Sequence, residues 1–340
     1  MIHKKVLGGN MVNILINNIR YVNPTSLIRA LRNLPHFQVS IWGTDTEHVG
    51  YFPSSMFVDH YYIAPSVDNP KDYLIYMQKL CKDNDIHIII PGSDKDVQFY
   101  SQYKEYFTTK IILPEKKAVN TFYDKYKASL AIKDIGVPIP QIINNLFDET
   151  KVIFRKKISS SSAGIFVLDL EHDKQIPNLF NKRYFLQRFI NGTEYTVDIL
   201  ADKNGIPKLI IPRKRLQIRN GMSVCCQVCY HEKIIELCKK IYSHFYIPGL
   251  SNIQFIDDGA HVYFIEINMR FAGSGICGII ASFNYLEQYL CHFLNDVELS
   301  SLEFYMNKVA WSSIVSRYYE ESIYHQSDAK EDEKLLKSKS

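Results

Sequence analysis

The sequence lacks the features that would tie it to a membrane, a nucleic acid or an oxidising compartment. It contains no apolar run of about 18 residues, so we expect no membrane-spanning helix and no membrane partner. Its net charge is +4 without long basic runs, which does not favour a nucleic-acid partner. The seven cysteines are odd in number and irregularly spaced, and the first residues lack a secretory apolar region of sufficient length, so we expect a cytoplasmic protein.

Two familiar phosphate-binding signatures are also missing. The first predicted strand, residues 12–16, is followed by N-N-I-R-Y-V-N-P and not by G-x-G-x-x-G. A Ser-rich segment near residue 160 is not followed by G-K-[ST], so it is not a Walker A loop. Cys225, Cys226 and Cys229 have His231 alone nearby as a further ligand, so buried thiols are favoured over a closed zinc site.

The sequence does contain enough apolar material for two or three domains. Hydrophobic residues make up 46% of its 340 residues, which suffices for a sizeable core. In the first third, apolar strands alternate with amphipathic helices, which implies a parallel sheet with right-handed crossovers. Its strand ends, at 17–20 and 93–94, are candidates for one wall of a cleft, although a structural loop is the favoured interpretation. The predicted strands are residues 12–16, 39–42 and 87–90, and the predicted helices are residues 24–34 and 73–81.

A predicted hairpin over residues 251–270 carries the most informative pattern. Glu266 and Asn268 are two residues apart, so both side chains leave the same face of a strand, and Gln254 is available from the partner strand. Carboxylate and amide oxygens on a rigid surface suit Mg²⁺, with Mn²⁺ as an alternative. The other interpretation is the solvated face of an ordinary hairpin. Gln254 and Glu266 share a face if the loop holds an odd number of residues, such as 258–260, with Gly259 at positive φ.

Basic residues occur at two further predicted element boundaries. Lys125 opens a helix that is predicted to end at Gly136, where V-P-I-P follows. Arg155 closes the strand V-I-F-R, and K-K-I-S-S-S-S-A-G follows. A basic residue before a flexible small-residue loop can cradle a phosphate, although such loops are also ordinary linkers.

The second half of the chain carries a further basic cluster. Arg213 and Arg215 share one face of a predicted strand, where they either bind a phosphate or an acidic substrate or belong to solvated surface. Residues 232–244 are predicted to form an amphipathic helix and residues 307–318 a further strand. The last residues are rich in Ser, Asp, Glu and Lys, and a disordered tail is expected over 321–340.

Taken in order, these segments resemble the ATP-grasp superfamily. E-I-N-M-R-F-A-G-S at 266–274 is similar to its metal-binding strand, E-x-N-P-R-x-G-G, with Met269 in place of proline and Ala272 in place of a glycine. D-K at 124–125 with G-V-P-I-P at 136–140 resembles the entry to the fold. V-I-F-R resembles the phosphate-binding strand, and G-T-E-Y-T-V-D resembles the adenine and ribose segment. The likeness is greatest to the carbamoyl-phosphate-synthase large-chain-like branch, including the pyrrolysine-biosynthesis ligase type.

The resemblance implies a mixed α/β and α+β fold in three parts. An N-terminal Rossmann-like domain with a parallel sheet is expected over residues 12–115. A two-subdomain ATP-grasp domain is expected over residues 116–320. Its nucleotide-binding subdomain would cover roughly residues 120–190 and its metal-bearing subdomain roughly residues 191–320, with ATP between them.

The resemblance also implies ATP and Mg²⁺ as cofactors and gives individual residues a role. The metal ligands would be Gln254, Glu266 and Asn268. The residues assigned to catalysis are Arg270, Arg213 and Arg215. The nucleotide would be bound by Lys125, Arg155, Lys156, Ser160, Ser161, Ser162, Gly164, Gln187, Phe189, Ile190 and Glu194. Among these, backbone groups near Phe189 and Ile190 would meet adenine, and Glu194 would accept from the ribose hydroxyls.

The implied reaction is ATP-dependent ligation of a small-molecule carboxylate to a small-molecule amine. The carboxylate would attack the γ-phosphate, and the amine would then displace phosphate from the acyl phosphate to give an amide. Closure of the loop at 159–164 would exclude water. Two alternatives stay open: an ATP-grasp kinase or a ligase with another nucleophile, and a non-catalytic nucleotide-binding scaffold. A homodimer is an option that the sequence does not decide.

Overall fold

The strands form three sheets in the computed structural model, which describes residues 11–143, 150–159, 164–172, 182–318 and 320–324. A parallel sheet comes first in the chain, and two antiparallel sheets follow. The predicted fold class, a parallel-sheet domain before an α+β fold, is therefore confirmed. The predicted domain boundaries at residues 115 and 190 stay predictions.

The parallel sheet has the strand order β3-β2-β1-β4-β5. Its strands are β1 (Val12–Asn17), β2 (Val39–Asp45), β3 (His60–Ile63), β4 (Ile88–Ile90) and β5 (Lys110–Ile111), with α1 (Val22–Arg32), α2 (Pro70–Asp83) and α3 (Asp94–Tyr103) between them. Ile14, Leu15 and Ile16 are all fully buried, as expected for a strand covered on both faces. After β1 the chain continues to β2 on one side of it in the sheet, and after β4 it continues to β5 on the opposite side. Such a reversal opens a crevice at the carboxyl ends of these two strands.

A buried polar network fixes that crevice. The carboxylate of Asp96 accepts hydrogen bonds from Asn18 Nδ2 at 2.7 Å, Ser93 Oγ at 2.7 Å and Tyr73 Oη at 3.2 Å. Burial raises the pKa of Asp96, although these hydrogen bonds oppose the rise. Ser93 also caps α3 through a capping box with Asp96. The first turn of α3, which begins at Asp94, is consequently held rigidly at the edge of the sheet.

The second sheet has four antiparallel strands in the order β6-β9-β7-β8. Its strands and the helices before them are α4 (Lys116–Tyr123), α5 (Lys125–Asp134), β6 (Ile142–Ile143), β7 (Lys151–Lys156), β8 (Ile165–Asp169) and β9 (Tyr184–Arg188). Asp124 is the N-cap of α5, because its carboxylate accepts hydrogen bonds from the backbone N–H groups of Tyr126 and Lys127. This cap places Lys125 at the first position of the helix.

The third sheet has the order β14-β13-β10-β11-β12-β15. Its strands are β10 (Thr193–Ala201), β11 (Pro207–Arg219), β12 (Met222–Val228), β13 (Gly249–Asp257), β14 (Val262–Asn268) and β15 (Ile314–Ser316). The helices around it are α6 (Glu232–His244), α7 (Gly275–Ile280), α8 (Tyr285–Asn295) and α9 (Leu302–Met306). The helix predicted at 232–244 is confirmed.

The strand predicted over residues 307–318 is wrong for most of its length. Only Ile314–Ser316 pairs with β12 in the described structure. Before that strand, Val309 is buried, and the N–H of Ala310 donates to the carbonyl of Ala281 just after α7. The backbone of this segment is therefore satisfied against a helix end and does not extend the sheet.

The described residues contain no helix that is long and apolar enough to cross a membrane. Residues 320–324 have neither helix nor strand, whereas the rest of the expected tail, 325–340, lies outside the described residues.

Candidate functional site

A cleft of about 1180 Å³ lies where the three sheets face one another. It is bordered by the carboxyl ends of β1 and β4, by β7 and β9, and by β10, β13 and β14. Drug-sized ligands occupy cavities of roughly 300–1,000 Å³. The cleft is therefore large enough for a nucleotide together with a small substrate.

The hairpin of β13 and β14 brings the three predicted metal ligands together, but its loop length and its register differ from the prediction. Gln254 pairs directly with Glu266, and Asn252 pairs with Asn268. The connecting loop holds four residues, 258–261, so the prediction of an odd-numbered loop is wrong, although Gly259 does have a positive φ of 92°. A β-bulge corrects the register, because the pairing shifts between Gln254 and Phe255.

The bulge leaves Ile265 as the extra residue on β14, without a register partner within the described strands. Its carbonyl oxygen accepts a hydrogen bond from Arg155 Nη1 at 2.8 Å. Arg155 Nη2 lies 3.0 Å from Glu266 Oε2 in an ion pair, and the arginine side chain is 4% exposed. A single arginine on β7 therefore ties the second sheet to the strand that carries the metal ligands.

Lys125 approaches the same carboxylate from the start of α5. Its Nζ lies 3.4 Å from Glu266 Oε2 and donates to the carbonyl of Ser159 at 2.7 Å. Burial alone would raise the pKa of Glu266, but the charges of Lys125 and Arg155 outweigh it and lower the pKa to about 2. Glu266 is consequently ionised at neutral pH, as a metal ligand must be.

The three oxygen donors suit a hard divalent cation. Gln254, Glu266 and Asn268 all border the cleft and lie on neighbouring positions of one strand pair. They offer one carboxylate and two amide oxygens, which fits Mg²⁺ with its remaining positions taken by water and phosphate. Asn268 Oδ1 also accepts from Arg270 Nη2 at 3.3 Å.

The residues expected around adenine and ribose border the same cleft. Gln187 is buried and donates from Nε2 to the carbonyl of Pro140 at 3.3 Å. The N–H of Phe189 already donates to the carbonyl of Lys151 at 3.3 Å. Ile190, the next residue after Phe189, also borders the cleft. Glu194 has a 42% exposed side chain whose Oε2 accepts from Arg215 Nη1 at 2.6 Å.

The phosphate loop is only partly described. Ser160, Ser161 and Ser162 lie outside the described residues. The N–H of Lys156 donates to the carbonyl of Gly164, whose φ of 80° suits glycine. Neither Lys156 nor Gly164 is among the described residues that border the cleft, whereas Ser159 is.

The structure corrects the assignment of Arg213 to catalysis. Its guanidinium is fully buried and forms a bidentate ion pair with Asp198, with both contacts at 2.8 Å. Its Nη1 also donates to Ser274 Oγ at 3.0 Å. Arg213 is not among the described residues that border the cleft, because α7 and the loop before it cover this end of the sheet. It holds the loop that follows β14 through Ser274.

Arg215 shares a strand face with Arg213 but does reach the cleft. It is fixed there by Glu194, by Ser223 Oγ at 2.9 Å from Nε, and by the carbonyl of Gly221 at 2.6 Å from Nη2. Burial lowers the pKa of Arg215, although Glu194 opposes this. These contacts therefore fix the positive charge of the Arg215 guanidinium beside the expected ribose position.

Sequence reasoning missed the partner of Arg270. The guanidinium forms a bidentate ion pair with Asp94, with Nε–Oδ1 at 2.8 Å and Nη2–Oδ2 at 2.7 Å. The loop after Arg270 is also held by the first domain, since Ser26 Oγ donates to the carbonyl of Gly273 at 2.6 Å. The available signal was an acid at the start of α3, four residues after β4 ends and at the edge where ligands bind in such sheets.

Comparison with known proteins relates part of the chain to ATP-grasp proteins. Residues 181–311 match the family described as ATP-grasp in the biosynthetic pathway with Ter operon. The chain is 27% identical over 172 residues to the carbamoyl phosphate synthase large chain of Clostridium acetobutylicum, which covers 46% of this chain and 15% of that protein. It is 25% identical over 170 residues to the uncharacterised protein MJ0776 of Methanocaldococcus jannaschii, which covers 46% of this chain and 43% of that protein. The chain thus spans less than half of the length of both relatives.

Solved structures share the fold at low sequence identity. The biotin carboxylase domain of 2-oxoglutarate carboxylase from Hydrogenobacter thermophilus, a dimer in complex with MgADP, ADP and bicarbonate, is 16% identical with a TM-score of 0.66, covering 89% of this chain and 73% of that one. N5-carboxyaminoimidazole synthetase from Staphylococcus aureus, complexed with ADP, is 14% identical with a TM-score of 0.66, covering 85% and 79%. L-amino acid ligase from Bacillus licheniformis is 13% identical with a TM-score of 0.63, covering 88% and 77%.

The family match and the solved structures agree with the resemblance in the sequence. Residues 181–311 match an ATP-grasp family, and the solved structures share the fold of the chain. The chain is homologous over part of its length to the large chain of carbamoyl phosphate synthase, the branch that the sequence motifs resemble.

The buried pair of Arg213 and Asp198 generates a stability prediction. Arg213→Met should lower the free energy of unfolding by about 3–5 kcal/mol, because it leaves the Asp198 carboxylate buried without its counter-ion. Urea denaturation followed by circular dichroism would measure this loss. The double variant Arg213→Met/Asp198→Leu is the matched control and should recover part of it, because no unpaired charge is left. A single variant that unfolds like the wild type but has lost nucleotide binding would restore the direct role of Arg213.

Proposed function

We propose that this protein is an ATP-dependent carboxylate–amine ligase that forms an amide and releases ADP and phosphate. The observation that supports the proposal most directly is the composition of one cleft. Three oxygen donors on β13 and β14 lie beside Lys125 and Arg155, and Arg270 follows the same strand. Phosphoryl transfer depends mainly on neutralising charge and on alignment, and these groups supply both.

ATP and Mg²⁺ are the proposed cofactors. Two structures of the same fold were solved with ADP or MgADP, which supports this part of the proposal. Gln254, Glu266 and Asn268 would hold the cation, which would supply positive charge to neutralise the phosphate oxygens. The base and ribose would lie against β9 and the start of β10, near Gln187 and Glu194.

The chemistry is a two-step transfer without a nucleophile from the protein. A carboxylate oxygen of the acid attacks the γ-phosphorus, and the bond to the β-phosphate oxygen breaks to release ADP. The amine nitrogen then attacks the acyl carbon, and phosphate leaves as the nitrogen loses a proton. Arg270 would stabilise the oxygens of the transferred group, because its fork binds phosphate or carboxylate bidentately. Lys125 would neutralise phosphate charge from the start of α5.

The first domain supplies the proposed substrate wall. Asp94 fixes Arg270 from α3, and Ser26 fixes the following loop from α1. Substrates would therefore lie between the crevice at β1 and β4 and the loop after β14. The likeness to an L-amino acid ligase is consistent with an amine substrate in this position.

Product analysis tests the proposed reaction class. Purified protein with ATP, Mg²⁺ and a panel of small carboxylic acids and amines should release ADP and inorganic phosphate in equal amounts when one acid and one amine are both present. Coupled assays for ADP and for phosphate would measure both. ADP with a stable phosphorylated acid and no phosphate would indicate a kinase. No nucleotide turnover with any pair would favour a nucleotide-binding scaffold.

Glu266→Gln tests the metal assignment. The variant should lose turnover by at least about 100-fold, because the single carboxylate among the donors is removed and a neutral amide cannot replace its charge. A thermal melt should stay cooperative, which separates this loss from unfolding. Glu236→Gln, on the exposed face of α6, is the matched control and should retain activity. Unchanged turnover in Glu266→Gln would remove the metal assignment.

Asp94→Asn tests whether the first domain positions Arg270. The amide cannot form the charged bidentate pair, so kcat should fall about tenfold while KM for ATP changes less than about threefold. Asp83→Asn, an exposed position at the end of α2, is the matched control. Steady-state kinetics with varied ATP would separate the two constants. A rise in KM for ATP at constant kcat would instead assign Asp94 to nucleotide binding.

A further inference from the structure

Lys125 and the proposed metal ligand Glu266 form an ion pair. Lys125 Nζ lies 3.4 Å from Glu266 Oε2, and the two side chains are 13% and 21% exposed. The other partner of Nζ is the neutral carbonyl of Ser159 at 2.7 Å. The positive charge of this lysine is therefore balanced by the same carboxylate that a divalent cation would need.

The charges around the three oxygen donors affect how readily a divalent cation could bind. Gln254, Glu266 and Asn268 contribute one negative charge in total, while Lys125 and Arg155 place two positive charges beside it. A divalent cation that entered alone would meet net repulsion in a partly buried, weakly screened site. A cation that entered with polyphosphate would not, because the phosphate oxygens offer Lys125 a new partner.

We propose that Lys125 is a built-in counter-ion of the divalent-cation site, which keeps the site closed to a free cation and opens it when a nucleotide draws the lysine away. The inference rests on the proposed nucleotide and metal sites and adds the coupling between them. Because binding linkage is reciprocal, the nucleotide strengthens cation binding by the same factor as the cation strengthens nucleotide binding.

Lys125, and not Arg155, is the residue that can exchange partners. Arg155 is 4% exposed and is anchored twice to β14, through the carbonyl of Ile265 and through Glu266. Lys125 borders the cleft on a flexible four-carbon stem at the first position of α5. Arg155 therefore stays with β14, while Lys125 moves between the carboxylate and a phosphate.

Binding of Mn²⁺ alone tests the inference without any need for turnover. Free Mn²⁺ can be counted by its electron paramagnetic resonance signal in titrations of the nucleotide-free protein and of the protein with ADP. Wild-type protein should bind Mn²⁺ at least about tenfold more tightly with ADP than without it. Lys125→Met should bind Mn²⁺ without nucleotide at least about fivefold more tightly than the wild type, whereas its affinity for ADP should fall. Lys127→Met, on an exposed position of the same helix, is the matched control and should behave like the wild type.

The test is decisive because Lys125→Met should bind Mn²⁺ more tightly but ADP more weakly than the wild type. Mn²⁺ binding to nucleotide-free Lys125→Met that equals or falls below that of the wild type overturns the counter-ion role. Lys125→Gln repeats the measurement with a polar side chain, and thermal melts of both variants show whether the fold is retained. If Mn²⁺ fails to bind any of the proteins even with ADP, the metal site of the proposed function fails and the inference falls with it.

Discussion

The contact between Arg155 and β14 is the interaction on which the site depends. It joins two sheets that share no strand, and it does so at the bulge that aligns the proposed metal ligands. The bulge and the arginine need each other, because the extra residue exposes a carbonyl that must find a donor. Arg155 supplies that donor and balances the charge of Glu266 with the same guanidinium. The same contact of Arg155 therefore fixes the positions of the proposed metal ligands and joins two of the sheets that border the cleft.

The parallel sheet and its helices complete this arrangement from the opposite side. The crevice at β1 and β4 is set by parallel-sheet topology, and the buried network around Asp96 stiffens it. The capped start of α3 then directs Asp94 at Arg270. A ligand in the cleft meets a rigid wall on that side and two antiparallel sheets on the other. Orientation of reacting groups, which can supply a large part of a rate enhancement, requires such fixed surfaces.

Much of the fold and the shared position of the proposed metal ligands could be predicted from the sequence, but the contacts could not. Alternating strands and helices predicted the parallel sheet, and the two-residue spacing of Glu266 and Asn268 predicted a shared face. The hairpin loop was predicted with the wrong parity, because a bulge at Ile265 leaves no composition signal. Arg213 and Arg215 looked equivalent by spacing. Their roles differ because α7, which is distant in sequence, covers one of them and leaves the other at the cleft.

The balance of charge in the cleft would explain how the proposed donor set, with its single carboxylate, could serve a divalent cation. Each additional carboxylate would strengthen cation binding but would also repel the phosphates of a nucleotide. With one carboxylate facing two basic side chains, Glu266, Lys125 and Arg155 together carry a net positive charge. Such a site attracts a polyphosphate, and the polyphosphate brings the negative charge that the cation requires. The amide oxygens of Gln254 and Asn268 would then complete the coordination without adding charge, so the net charge would be nearer to neutral with both ligands in place than with either one alone.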